Sequence, residues 1–202
     1  MIESRRRAGL IGLMRGKATG RNVLVLVVVT MAVYLVMLLV TILRVHSYAP
    51  DAALFDLSPG GYSHSQALTL LESLGQAGRD AYLFPQLALD FIYPGLFAIC
   101  FSLMLIWVYA KRFQAPSKLR YLALLPAFGG LCDYVENILI IRMIRTFPDV
   151  TESLVSVASG FTLLKSGFST ASFLLLGLGF VLMWKNRAGA SPRDETQSRP
   201  NG

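Results

Sequence analysis

The chain has 202 residues, 54% of them hydrophobic and only 15% charged, with 19 Lys and Arg against 12 Asp and Glu for a net charge of +7, and its mean hydropathy is +0.54. That much apolar surface excludes an ordinary soluble domain, whose single core could not hide it. The basic residues flank long apolar runs and accompany no nucleic-acid-binding motif, which excludes nucleic acid as the partner and leaves membrane lipids.

In chain order, residues 1–22 form a basic segment in which Leu10, Ile11, Leu13 and Met14 are interspersed among Arg and Lys. The pattern suits a topogenic tail or a segment lying against anionic headgroups. A first spanning helix is predicted at about 23–43, since a hydrocarbon core needs about 20 apolar residues at helical rise. Its run VLVLVVVTMAVYLVMLLVTIL carries no charge and is too long for a signal-peptide core. No small-residue cleavage site precedes Pro50, so the helix should stay attached as an anchor. Valine favours strands in water, but in lipid a lone segment must satisfy its own backbone, and a helix does so.

Residues 44–86 make the longest connection, and loops of this length are usually structured or functional. Ser63 or Ser65 can cap a helix holding Ala67, Leu68, Leu70, Leu71 and Leu74 before Gly75 and Gly78 loosen it. That helix is expected either to lie over the bundle mouth as a lid or to rest on the outer leaflet.

The second span, about 87–110, opens with LALDFIYPG, which puts Asp90 and Tyr93 on adjacent turns. The third, about 121–144, contains GGLCDYVENIL, which places Asp133, Glu136 and Asn137 at i, i+3 and i+4 on one face. The fourth, about 154–184, carries Ser159, Thr162, Lys165, Ser166, Ser169 and Ser172, mostly along one stripe. Pro94 and Pro126 are expected to kink their helices. Gly129, Gly130 and the Gly177/Gly179 pair point to close helix packing. Residues 185–202 are polar, with Ser, Pro and both signs of charge, and should be a disordered tail.

Orientation follows from the Lys and Arg residues, which short cytoplasmic segments retain. Arg5, Arg6, Arg7, Arg15, Lys17 and Arg21 precede the first span, Lys111, Arg112, Lys118 and Arg120 lie between the second and third, and Lys185, Arg187, Arg193 and Arg199 follow the fourth. These are 14 of the 19 basic residues. The other two connections hold Asp51, Asp56, Glu72, Asp80, Asp149 and Glu152 and should face the opposite side. The expected fold is therefore an all-α integral membrane protein, a bundle of four transmembrane helices with both ends cytoplasmic and a helical non-cytoplasmic loop between helices 1 and 2. Small size, short loops and the absence of organelle signals point to a bacterial cytoplasmic (inner) membrane.

An ionisable side chain in lipid costs several kcal/mol unless protein or water surrounds it, so the polar residues inside the spans are the strongest functional signal. Counted from the cytoplasmic ends at 1.5 Å per residue, Asp133 lies roughly 18 Å in, Glu136 and Asn137 about 23 Å, and Asp90 and Lys165 about 28 Å, on a core about 30 Å thick. Asp90, Tyr93, Asp133, Glu136, Asn137 and Lys165 are thus expected to share a polar site in the outer half of the bilayer. Lys165 is expected to pair with Glu136 or Asp90, with Asn137 and Tyr93 supplying hydrogen bonds. His64, Arg79, Asp80 and Tyr82 should line the outer mouth. Such a set suits proton transfer, cation binding or acid–base work on a lipid-like substrate.

Familiar chemistries lack their residues. Cys100 and Cys132 are isolated, and His46 and His64 lie outside the spans, so no thiol–disulfide pair, haem ligands or metal box is present. Phosphate loops and metalloprotease or nucleophile-elbow motifs are also missing. Neither a cofactor nor a metal is expected. Three readings follow. The first is a membrane protein binding a lipid or small molecule, with or without chemistry upon it. The second is a non-catalytic assembly protein whose polar residues fix helix pairing, as a homo-oligomer or with a partner membrane protein. The third is a proton- or cation-coupled carrier, which four helices form only as an oligomer or a very small transporter.

Overall fold

The structure, a computed structural model, describes residues 17–112 and 119–188. Residues 1–16 of the expected basic segment (1–22) and residues 189–202 of the expected tail (185–202) lie outside the described residues, while residues 20–22 and 185–188 are helical and not part of a tail. Among the described residues there is no strand. Four helices are long and apolar enough to cross a membrane, at Gly20–His46, Gly75–Ala110, Tyr121–Thr146 and Glu152–Lys185. The helices are named α1 (Gly20–His46), α2 (His64–Ser73), α3 (Gly75–Ala81), α4 (Tyr93–Arg112), α5 (Leu125–Thr146) and α6 (Glu152–Ala188).

Helix α1 starts at Thr19, whose hydroxyl accepts the Asn22 N–H at 3.3 Å. Of its first seventeen residues only Val23 and Thr30 are buried. An apolar surface turned outward all round suits a helix whose solvent is lipid. A π turn at Met37–Ile42 interrupts the ladder beside the buried Thr41.

The second span is not one continuous helix from residue 87. Phe84, before Pro85, leaves helical geometry with φ −151° and ψ 123°. A short turn, Leu87–Asp90, follows, and the chain turns again at Phe91 and Ile92 before α4 begins. Asp90 and Tyr93 therefore stand on either side of a break and not on adjacent turns of one helix. The reason is Pro94, which has no N–H to continue a helix from Asp90 but is well suited to the first turn of a new one. Pro126 likewise occupies the first turn of α5. Both prolines start helices where the sequence suggested kinks.

Helix α5 lies between α4 and α6 and packs along both. Its buried stripe runs Gly129, Gly130, Cys132, Asp133, Glu136, Asn137, Ile140, Met143 and Ile144, at three- and four-residue spacing. The helices approach closely where side chains are smallest. A Cβ on Gly130 would sit 2.7 Å from the Pro94 carbonyl oxygen, and one on Gly129 would be 3.3 Å from Phe168 Cβ.

Two apolar clusters result. One gathers Phe97, Cys100, Phe101, Leu105, Val108 and Leu176 from α4 and α6. The other joins the long connection (Val45, Leu54, Phe55, Leu70, Leu71, Tyr82) to the end of α5 and the start of α6 (Ile140, Met143, Val155, Ala158). Helix α2 contributes Ala67, Leu70 and Leu71 to this second cluster, so its apolar face packs on protein. Ser63 caps it, its hydroxyl accepting the Gln66 N–H while the Gln66 side-chain oxygen accepts the Ser63 N–H.

Candidate functional site

The buried polar residues of α5 fall between the two clusters. Glu136 and Asn137 are wholly buried, Asp90 and Asp133 nearly so. The i, i+3 spacing of Asp133 and Glu136 turns both carboxyls toward α6, where Lys165 meets them. Lys165 Nζ lies 2.5 Å from Glu136 Oε2 and 3.2 Å from Asp133 Oδ1. One turn earlier on α6, the Thr162 hydroxyl donates to Glu136 Oε1 at 2.7 Å. Three residues before that, Ser159 Oγ accepts the backbone N–H of Tyr62 at 2.8 Å. A single stripe of α6 thus carries the cation, the hydroxyl that orients Glu136, and the tether for the long connection.

Asn137 acts on the break before α4. Pro94 cannot donate to the Asp90 carbonyl four residues back, and the Asn137 side-chain N–H₂ takes that carbonyl at 3.1 Å. The Asn137 amide oxygen is left buried without a donor. Asp90 in turn brings in a residue that the sequence reading placed outside the site. The Asp56 carboxyl, from the connection, is a near neighbour of the Asp90 carboxyl. Asp56 Oδ2 accepts from Gln86 at 3.5 Å, and its backbone N–H points to the Tyr82 hydroxyl at 3.4 Å. Its other carboxyl oxygen is buried with no donor. Gln86 also bonds Thr41 of α1, so every spanning helix or its lead-in touches the network.

Several expected residues are placed elsewhere. Of the two partners expected for Lys165, Glu136 is the one it meets, with Asp133 beside it and not Asp90, because the two acids of α5 lie directly across from it. The Tyr93 ring packs on Tyr34 and Phe97, at centroid distances of 5.5 and 6.1 Å. His64 Nε2 bonds the Val150 carbonyl at 2.8 Å and fastens α2 to the α5–α6 connection. Arg79 donates to the Leu71 carbonyl at 2.7 Å and lies over the Phe147 ring, while Asp80 accepts from Gln76. Of the four mouth residues only Tyr82 reaches the buried network.

The residues that sequence reasoning left out of the site are Asp56, Gln86, Thr41, Tyr62 and Thr162. Asp56 carried a faint signal, an acid inside the apolar string ALFDL of an otherwise polar stretch. Tyr62 lies outside the spans, and its hydroxyl, a near neighbour of Thr162, is buried with no hydrogen-bond partner among the described residues. Burial pushes that hydroxyl well above the usual tyrosine value, with the neighbouring Glu136 and Asp56 adding to the effect. Gly61 before it has φ +79°, and a Cβ there would sit 2.6 Å from Ser159 Oγ. Only glycine lets the chain pass α6 this closely.

Beside this network, the connection forms a cavity of about 400 Å³, open to the outside, lined by Asp51, Ala52, Ala53, Phe55, Ser58, Gly61, Tyr62, Ser65, Gln66 and Thr69. Among the described residues no group of three or more His, Cys, Asp or Glu side chains converges as a metal site would require. Two carboxyl groups, Asp133 and Glu136, share Lys165, and the buried polar atoms left without a partner nearby are the acceptors Asp56 Oδ1 and Asn137 Oδ1 and the Tyr62 hydroxyl. Orphaned acceptors of this kind have room for a donor that the described residues do not supply.

No protein-family model, characterised protein or solved structure matches the chain.

Proposed function

We propose that this protein is a four-span membrane protein, with both termini in the cytoplasm of a bacterial cell, that binds a small molecule or lipid headgroup at a polar site in the outer half of the bilayer. The long connection between α1 and α4 closes that site from the non-cytoplasmic side. The observation that carries the reading is the surplus of buried acceptors, Asp56 Oδ1 and the Asn137 amide oxygen, beside carboxyls that outnumber the single Lys165. Purely structural networks are normally satisfied internally, because an unpaired buried polar group costs about 1–3 kcal/mol. Orientation is supported by the basic residues of the cytoplasmic segments and the acidic ones of the other two.

A second reading has its own support. The Lys165–Glu136 pair and the Thr162 bond tie α5 to α6, as a device for helix assembly would. Substituting Glu136→Gln and Asn137→Leu separates the two. Folded yield in detergent is measured together with native mass spectrometry of molecules that co-purify. The binding reading expects wild type to carry a retained molecule that both variants lose while folded yield holds. Collapse of yield in both, with nothing retained by wild type, would establish the assembly role in its place.

A further inference from the structure

The cavity in the long connection has a chemistry of its own. At about 400 Å³ it falls at the small end of ligand pockets. Part of its wall is aromatic, with Phe55 and Tyr62 at a centroid distance of 4.7 Å, and part is polar, with Asp51, Ser58, Gln66 and Thr69. No Lys or Arg lines it, and Asp51 forms no ion pair among the described residues. A cavity lined by a carboxylate, an aromatic pair, and hydroxyl and amide oxygens suits organic cations, which it can hold through charge, cation–π attraction and accepted hydrogen bonds. The same aromatic pair borders the buried network. The Tyr62 hydroxyl lies near Thr162, the donor to Glu136, and Asp56 follows Phe55 directly in the chain.

We propose that this cavity is a vestibule for a small primary ammonium compound, held by Asp51 and by the Phe55–Tyr62 pair that separates it from the Glu136 network. As a route inward it rests on the intramembrane site described above. As a binding site it stands without it.

The test uses full-length protein in phosphatidylcholine nanodiscs, titrated calorimetrically with n-butylammonium chloride at fixed ionic strength and compared with n-butanol. Saturable binding of the ammonium alone is expected, weakened about tenfold by Asp51→Asn and by Tyr62→Leu with thermal midpoints retained. Including phosphatidylethanolamine in the disc identifies the source: competition assigns the ammonium to a lipid headgroup, and no competition assigns it to a soluble amine. Equal binding of n-butanol, unchanged affinity in D51N, or heats no larger than those of empty discs would overturn the vestibule. Loss of the retained molecule in E136Q with n-butylammonium binding intact upholds both sites. Binding lost only in D51N and Y62L, with no molecule retained by wild type, upholds the vestibule and removes the deeper site.

Discussion

Lys165 is the residue on which the buried charge balance turns. With its side chain 18% exposed and that of Glu136 wholly buried, the pair is largely withdrawn from solvent. Removing one member leaves the other without compensation, which costs about 3–5 kcal/mol, whereas replacing all members by apolar groups is often neutral. Lys165→Met is therefore expected to lower the thermal midpoint in detergent sharply. The triple change Lys165→Met, Glu136→Leu, Asp133→Leu should recover much of that loss. Equal destabilisation by the single and triple variants would show that the lysine stabilises through packing and not through its charge. Glu136 and Asn137 were legible in the sequence because an acid and an amide stand inside an apolar helix at one-face spacing. Asp56 was not, because it lies in a connection where an acid is ordinary and only its burial marks it out.

Among the elements, the crossing of α4 and α5 decides whether the site forms. Gly130 lets the Pro94 carbonyl come close enough that a Cβ would sit 2.7 Å away. The same approach holds Asn137 against the Asp90 carbonyl at 3.1 Å. Gly130→Ala meets backbone and not a flexible side-chain tip, so it should push α4 away, lowering both folded yield and retention of any bound molecule. Gly177→Ala on α6 is its control, since nothing lies within 4 Å of the added methyl. That change should be neutral or slightly stabilising, as alanine favours the helix by about 1 kcal/mol. Matching behaviour of the two variants, measured by fluorescence-detected size exclusion, would contradict the role given to the crossing. Helix type and approximate span were readable from apolar run length. The break at Phe91 and Ile92 was not, because a proline within an apolar run signals a kink as readily as a new start.

Across the whole molecule, the polar chemistry occupies a layer between two apolar clusters, and the long connection forms part of one of them. The proposed orientation predicts where that connection is found in a cell. In a background lacking Cys100 and Cys132, Ser73→Cys should react with a membrane-impermeant maleimide in intact cells. Ser198→Cys in the tail should react only after lysis. Labelling of Ser198→Cys without lysis would reverse the topology and move the proposed site to the cytoplasmic leaflet.

Composition and the lengths of four apolar runs determined that the chain is helical and suited to a membrane, because lipid permits a lone apolar segment almost no other backbone solution. The Lys and Arg distribution also supplied an expected orientation. Which acid pairs with Lys165, that Asn137 takes the carbonyl left open by Pro94, and that Asp56 and Tyr62 come down onto the site were decided only by tertiary structure. Those contacts join residues far apart in the chain, and their geometry depends on how closely glycines let helices approach and on where the connection folds back, neither of which is written in local periodicity.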